Sequence, residues 1–171
     1  MAYIVTYNEM MSKDSMQALC PSAKMRLECR LLGCCLVLRR FFAGAVFSIE
    51  QGVEDDSAPA VVWEIDEAEE KDLREYYPED LYERIAFLLV AEKSKAEKIQ
   101  MEVFMFVLRC GESALPDEER IEKIAAAYEE HNFDFWYVEQ AMDNAADSMK
   151  GGKEDGIIHA GTAGTGEQHQ P

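Results

Sequence analysis

Val61-Val62-Trp63-Glu64-Ile65-Asp66-Glu67-Ala68-Glu69 decides how the rest of the chain is read. Residues 60–65 are rich in β-branched and aromatic side chains, the composition of a strand packed between neighbours. Asp66 then stands where a helix N-cap belongs, and Glu69 follows three residues later. That pair reads as a capping box opening a short helix through Leu73. A buried strand that runs straight into a capped helix points to a domain in which helices pack beside a sheet.

Outward from this passage, residues 3–7 (YIVTY) and 45–50 (AVFSIE) read as further strands. Residues 10–19 read as a short helix stopped by Cys20-Pro21. In residues 24–38, Met25, Leu27, Cys29 and Leu31 alternate and Gly33 interrupts, so the segment reads as strand, bend, strand. The stretch GVEDDSAP, 52–59, has the composition of a loop. On the C-terminal side, 82–91 and 99–108 form a hairpin joined by the charged turn EKSKAE, 92–97. Pro116-Asp117 opens a helix whose Ile121, Ile124, Ala125 and Tyr128 make one apolar stripe. Asn132-Phe133-Asp134 ends it, and a second helix follows with Phe135, Val138 and Met142 turned inward. Strands first and helices last predict an α+β fold: a small mixed β-barrel or curved sheet with flanking helices and a helical C-terminus. One domain is expected over 1–148. Residues 149–171 hold most of the glycines and few apolar side chains, and are expected to form a flexible tail.

The 171 residues include 34 acidic and 17 basic side chains, a net charge of −17. The charge is uneven: residues 1–49 carry +3, residues 50–150 carry −18. Such a balance weighs against nucleic acid and anionic membranes as partners, since both demand a surplus of Lys and Arg. No apolar run approaches a membrane span, and Met1-Ala2-Tyr3-Ile4 lacks the pattern of a signal peptide. Cys20, Cys29, Cys34, Cys35 and Cys110 are odd in number and lack zinc spacing, so reduced thiols in a cytoplasmic protein are expected and no metal site is. His159 and His169 fall in the tail and are not read as ligands.

Taken in order, several segments resemble the γ-glutamylcyclotransferase-like proteins, also called the AIG2-like or BtrG-like group. Tyr3 to Asn8 is similar to the opening Y-x-x-Y-G-S-N. Met16-Gln17-Ala18-Leu19-Cys20-Pro21-Ser22-Ala23 resembles M-x-x-x-C-P-x-A, and Ala45 to Glu50 resembles the A-x-x-x-I-x strand. Val61 to Glu69 resembles V-x-W-E-I-x-E-x-D. Leu73-Arg74-Glu75-Tyr76-Tyr77-Pro78, with Leu81-Tyr82, sits where the group has L-D-x-Y-E-G-Y-P and a following Tyr, and Tyr128 with Asn132-Phe133-Asp134 resembles Y-x-x-x-x-F-D. The resemblance spans roughly 3–145. It implies a small barrel with a cavity at one end and the cyclisation of a γ-glutamyl amine or amide to 5-oxoproline, without metal or organic cofactor.

That reaction needs a carboxylate to carry a proton from the substrate's α-amine to the leaving amine, and backbone donors in a Gly-containing turn. The sequence departs from the group's pattern at both places. The Y-G-S-N turn corresponds to Thr6-Tyr7-Asn8-Glu9 or Tyr7-Asn8-Glu9-Met10, without Gly or Ser. At E-G-Y-P, an ungapped count from Trp63 places Tyr77 at the Glu position, whereas anchoring on Tyr77-Pro78 places Glu75 there. Glu79 is a third choice. Glu75 and Glu79 are therefore the catalytic candidates, and Tyr7, Asn8, Tyr77 and Tyr82 the substrate-binding ones. Glu9 brings a negative charge to the turn that should meet an anionic substrate. Arg39 and Arg40 could pair with a substrate carboxylate; Trp63 reads as core, His131 as a helix end, and Cys34-Cys35 has no nucleophile motif around it. The expected function is binding of a small γ-glutamyl-type ligand with impaired or altered catalysis. The alternatives are an active cyclotransferase with a displaced Glu, or an acidic module that binds a basic protein through Glu64–Glu83. Oligomeric state is left open.

Overall fold

Nine residues, Ser57–Ile65, form strand β5 at the centre of the domain, and all but the first are buried. The computed structural model describes residues 1–151. Strand β5 pairs antiparallel on one side with β1 (Ala2–Thr6) and on the other with β2 (Lys24–Leu32), Ile4 standing opposite Trp63. Strand β1 in turn runs parallel to β7 (Glu97–Leu108), which pairs antiparallel with β6 (Tyr82–Ser94). The result is a mixed five-stranded sheet of order β2-β5-β1-β7-β6. A continuous apolar run suits β5 because both its faces are covered.

Strands β3 (Cys34–Phe41) and β4 (Gly44–Gln51) form a separate two-stranded sheet. Gly33 lies between β2 and β3 with φ +72, a conformation that L side chains resist, so the expected bend is where the chain changes sheets. Among the described residues the strands do not close into a barrel; the curved mixed sheet is the form adopted. The Leu108 amide, donating to Ser48 Oγ at 3.2 Å, ties β4 to β7.

Two segments differ from expectation for physical reasons. Strand β5 begins at Ser57, inside the expected loop, because Arg30 to Leu32 of β2 pair with Ser57 to Pro59. Pro59 is tolerated because β1 pairs only as far as Val61, which leaves no ladder donor required on that side. The turn between β6 and β7 is reduced to residues 95–96, since the strands extend through most of EKSKAE.

Helices cover the sheet. A 3₁₀ turn, Glu9–Met11, precedes α1 (Lys13–Leu19); the expected single helix is divided at Ser12, whose ψ of 132 is extended. The capping box forms as read, with Asp66 accepting from Ala68 N at 3.1 Å and Glu69 accepting from Asp66 N at 3.3 Å, and leads into α2 (Glu70–Tyr76). Asp117 caps α3 (Glu118–Glu130) by accepting from Arg120 N at 2.8 Å. Asn132 then takes φ 55 and Phe133 N returns to Tyr128 O at 2.8 Å, a left-handed stop that Asn accommodates. Helix α4, residues 136–151, buries Val138, Ala141 and Ala145. The tail expected over 149–171, with His159 and His169, lies from residue 152 onward outside the described residues.

Phe42 closes the β3–β4 hairpin with φ 54 and is 78 % exposed. A Cβ in the left-handed region costs about 1–2 kcal/mol, and glycine is the residue such tight hairpins favour. Phe42→Gly is expected to raise unfolding stability by about 1 kcal/mol. A denaturant midpoint that falls instead would give the exposed ring a stabilising contact.

Candidate functional site

The polypeptide leaves β1 at Tyr7, Asn8 and Glu9, all more than nine-tenths buried. Asn8 caps the 3₁₀ turn through Oδ1, which accepts from Met10 N at 3.0 Å; this fixes its amide so that Nδ2 donates to the Tyr77 hydroxyl at 3.3 Å. Tyr77 ends α2, its N–H returning to Leu73 O at 2.8 Å, which turns its ring inward. The ring stacks on Phe106 at 4.9 Å, and Tyr82 meets it edge-on at the same distance. The Tyr7 hydroxyl donates to Phe106 O at 2.5 Å. Tyr7, Asn8, Tyr77 and Tyr82 thus converge in one buried cluster where β1, α2, β6 and β7 meet.

The two glutamates read as catalytic lie elsewhere. Glu75 and Glu79 are exposed, and among the described residues neither side chain makes an ion pair or hydrogen bond. The carboxylate inside the cluster is Glu9. Its Oε1 pairs with Arg120 Nη1 from the first turn of α3, and its Oε2 is buried without a hydrogen-bond partner. Burial raises the Tyr7 and Tyr77 phenols well above their ordinary value, and it pushes Tyr82 up to about 12; the Glu9 charge adds to each. At neutral pH all three are therefore neutral hydroxyls. The Asn8-Glu9 pair in the first turn was a signal for this carboxylate. Nothing near it in sequence signals Arg120, which is 111 residues away.

Other singled-out residues have structural roles. Arg39 pairs with Glu50 and donates to Ser113 Oγ at 3.2 Å, and Arg40 lies 3.9 Å from Glu112. Trp63 is core, its indole donating to Thr6 Oγ1 at 3.0 Å. His131 is buried at the end of α3 between Glu28 (2.8 Å) and the Met11 carbonyl (2.5 Å). All five cysteines are free, and burial raises the Cys34 and Cys35 thiols, which disfavours a thiolate nucleophile. In the acidic stretch, Glu64 pairs with Arg26 and Glu70 with Arg84, so part of that charge is consumed within the fold. Of two surface clefts, one of about 560 Å³ near Arg39 and Arg109 reaches Ser48, a neighbour of the Tyr7 hydroxyl, and so adjoins the tyrosine cluster; the other, of about 470 Å³, lies near Lys24 and His131. Among the described residues no three metal-ligating side chains converge, and no helix is long and apolar enough to cross a membrane.

No family model matches the chain, and no curated protein matches it significantly. Solved structures do resemble it. A gamma-glutamyl cyclotransferase superposes with a TM-score of 0.71 at 18% identity, over 82% of this chain and 85% of that one. Uncharacterized protein loc79017 from Homo sapiens gives 0.67 at 17% identity, with the same shares covered. YkqA from Bacillus subtilis gives 0.62 at 15% identity, over 85% of this chain and 54% of the longer YkqA chain. At these identities the likeness establishes the fold.

Proposed function

We propose, from the premise that the chain has the γ-glutamylcyclotransferase-like fold, that it binds a small γ-glutamyl-type ligand at the tyrosine cluster with cyclotransfer impaired. The observation that carries this reading is the Tyr77 ring. Tyr77, which the count from Trp63 places at the group's Glu position, closes on Asn8 of the first turn, while Glu75 and Glu79 stand in solvent. Cyclisation needs a proton moved from the α-amine to the leaving amine by one group in reach of both. Neutral phenols can donate hydrogen bonds to a ligand's carbonyl or carboxylate, but they make poor proton acceptors near neutral pH. In this reading binding is retained and proton shuttling is impaired, because Glu9, the carboxylate within the cluster, is tied to Arg120. A cytoplasmic setting belongs to the same reading, since five free thiols suit a reducing compartment.

The test pairs calorimetric titration with a γ-glutamyl amine and γ-glutamyl amino acid panel and an assay for 5-oxoproline. Saturable binding without enzyme-dependent 5-oxoproline is expected. Glu75→Gln and Glu79→Gln are expected to leave affinity within about twofold, as exposed substitutions distant from a site do. Ready turnover abolished by either substitution would overturn the reading and restore an active cyclotransferase with a displaced Glu.

A further inference from the structure

We infer that Glu9 is the ammonium-recognising group of this site, holding the charged amine of the ligand on its free Oε2 among the tyrosine rings. The inference rests on the reading above for the identity of the ligand, but its argument is independent. Glu9 is 7 % exposed, and Oε2 is enclosed with no hydrogen-bond partner, although Oε1 is neutralised by Arg120. A buried carboxylate oxygen left unpaired is costly, and a carboxylate can only accept, so the missing partner is a donor. Asn8, next to Glu9 in the chain, holds the Tyr77 hydroxyl at 3.3 Å, and Tyr77 packs against Tyr76, Tyr82 and Phe106, so the turn that carries Glu9 lies beside aromatic surface. Such surface attracts a cation more than a neutral donor. Together the acceptor and the rings specify an ammonium group.

The rest of the cluster completes the complement. The Tyr77 hydroxyl accepts from Asn8, which leaves its proton free to donate. A ligand bearing an ammonium beside a carbonyl or carboxylate therefore meets both an acceptor and a donor. Arg120 offsets the negative charge that Glu9 would otherwise present to the ligand's carboxylate. Tyr76, 43 % exposed and edge-on to Tyr77 at 4.8 Å, is the member that reaches solvent.

The experiment titrates wild type and Glu9→Gln with three probes: γ-glutamylmethylamide, its N-acetyl derivative and propylammonium. Wild type is expected to bind γ-glutamylmethylamide, and both N-acetylation and Glu9→Gln are expected to weaken that binding about tenfold or more. The N-acetyl comparison needs no variant, so it decides even where Glu9→Gln fails to fold. Equal affinity for the acetylated probe, or undiminished affinity in a folded Glu9→Gln, overturns the inference and leaves the γ-glutamyl reading standing. Glu9-dependent binding of propylammonium without binding of γ-glutamylmethylamide supports the inference and overturns that reading. Binding of none of the three overturns both and assigns Oε2 to a buried water.

Discussion

Tyr77→Ala is expected to lower the unfolding free energy by about 3–5 kcal/mol, the range for removing a large aromatic side chain from a core. Tyr77 is 5 % exposed, stacks on Phe106 and meets Tyr82 edge-on. Its loss leaves a space that the stiff neighbours cannot fill, and it strands the Asn8 amide. Tyr77→Phe keeps the ring and removes only the hydroxyl, so a cost of about 1 kcal/mol is expected. Urea denaturation measures both, with the slope unchanged if only stability shifts. Equal costs would move the energy from the ring to the hydroxyl, and a cost under 1 kcal/mol for Tyr77→Ala would mean that the ring does not pack as described. The same pair separates binding from folding. Tyr77→Phe lacks the phenol proposed to donate to the ligand and is expected to bind more weakly while remaining folded.

The residues that read correctly are those whose signal is local. Asp66 and Glu69 form a capping box because both partners lie within one turn. Asp117 opens α3, and Asn132 closes it with a backbone conformation that few other residues accept. Long-range pairing left weaker traces. Gly33 marked a bend, but nothing local distinguishes a kink within one sheet from passage to another; only the pairing of β3 with β4 does. Ser57 to Pro59 had the composition of a loop and became strand because β2 supplied a partner. Closure into a barrel depends on which edges meet, which strand patterns do not encode.

The candidate site divides in the same way. Tyr7, Asn8, Tyr77 and Tyr82 were singled out at motif positions, and they converge in space. The glutamates failed to join them because sequence proximity does not set direction. Glu75 shares α2 with Leu73, which faces the core, yet projects from the opposite side of the helix. Glu9 was read as a charge of the wrong sign near an anionic ligand. Arg120, brought from α3, pairs with one Glu9 oxygen. Pairs so far apart in the chain become visible only once helix and sheet are docked.

The tyrosine cluster also predicts how the domain fails in alkali. Below about pH 8, the phenols and buried thiols are neutral in both the folded and the unfolded chain, and their packing contributes fully. As pH rises past 10.0, the unfolded chain's tyrosines ionise while burial keeps Tyr82 neutral up to about 12, and Tyr7, Tyr77 and Tyr128 further still. Cys29 behaves alike, rising from 9.0 to about 11. The unfolded state sheds protons first, so stability falls with rising pH. At about 1.4 kcal/mol per unit of displacement, Tyr82 alone contributes on the order of 2–3 kcal/mol that is lost by pH 12. Tyr7, Tyr77 and Tyr128 shift in the same direction and add to this loss, which draws on the roughly 5–15 kcal/mol that holds a typical domain. Loss of circular dichroism and appearance of tyrosinate absorbance are therefore expected to coincide between pH 10 and 12. Tyr7→Phe, which removes one ionising group, is expected to move that transition upward in pH. Tyrosinate absorbance from all seven tyrosines near pH 10, with the fold intact, would show the cluster open to water.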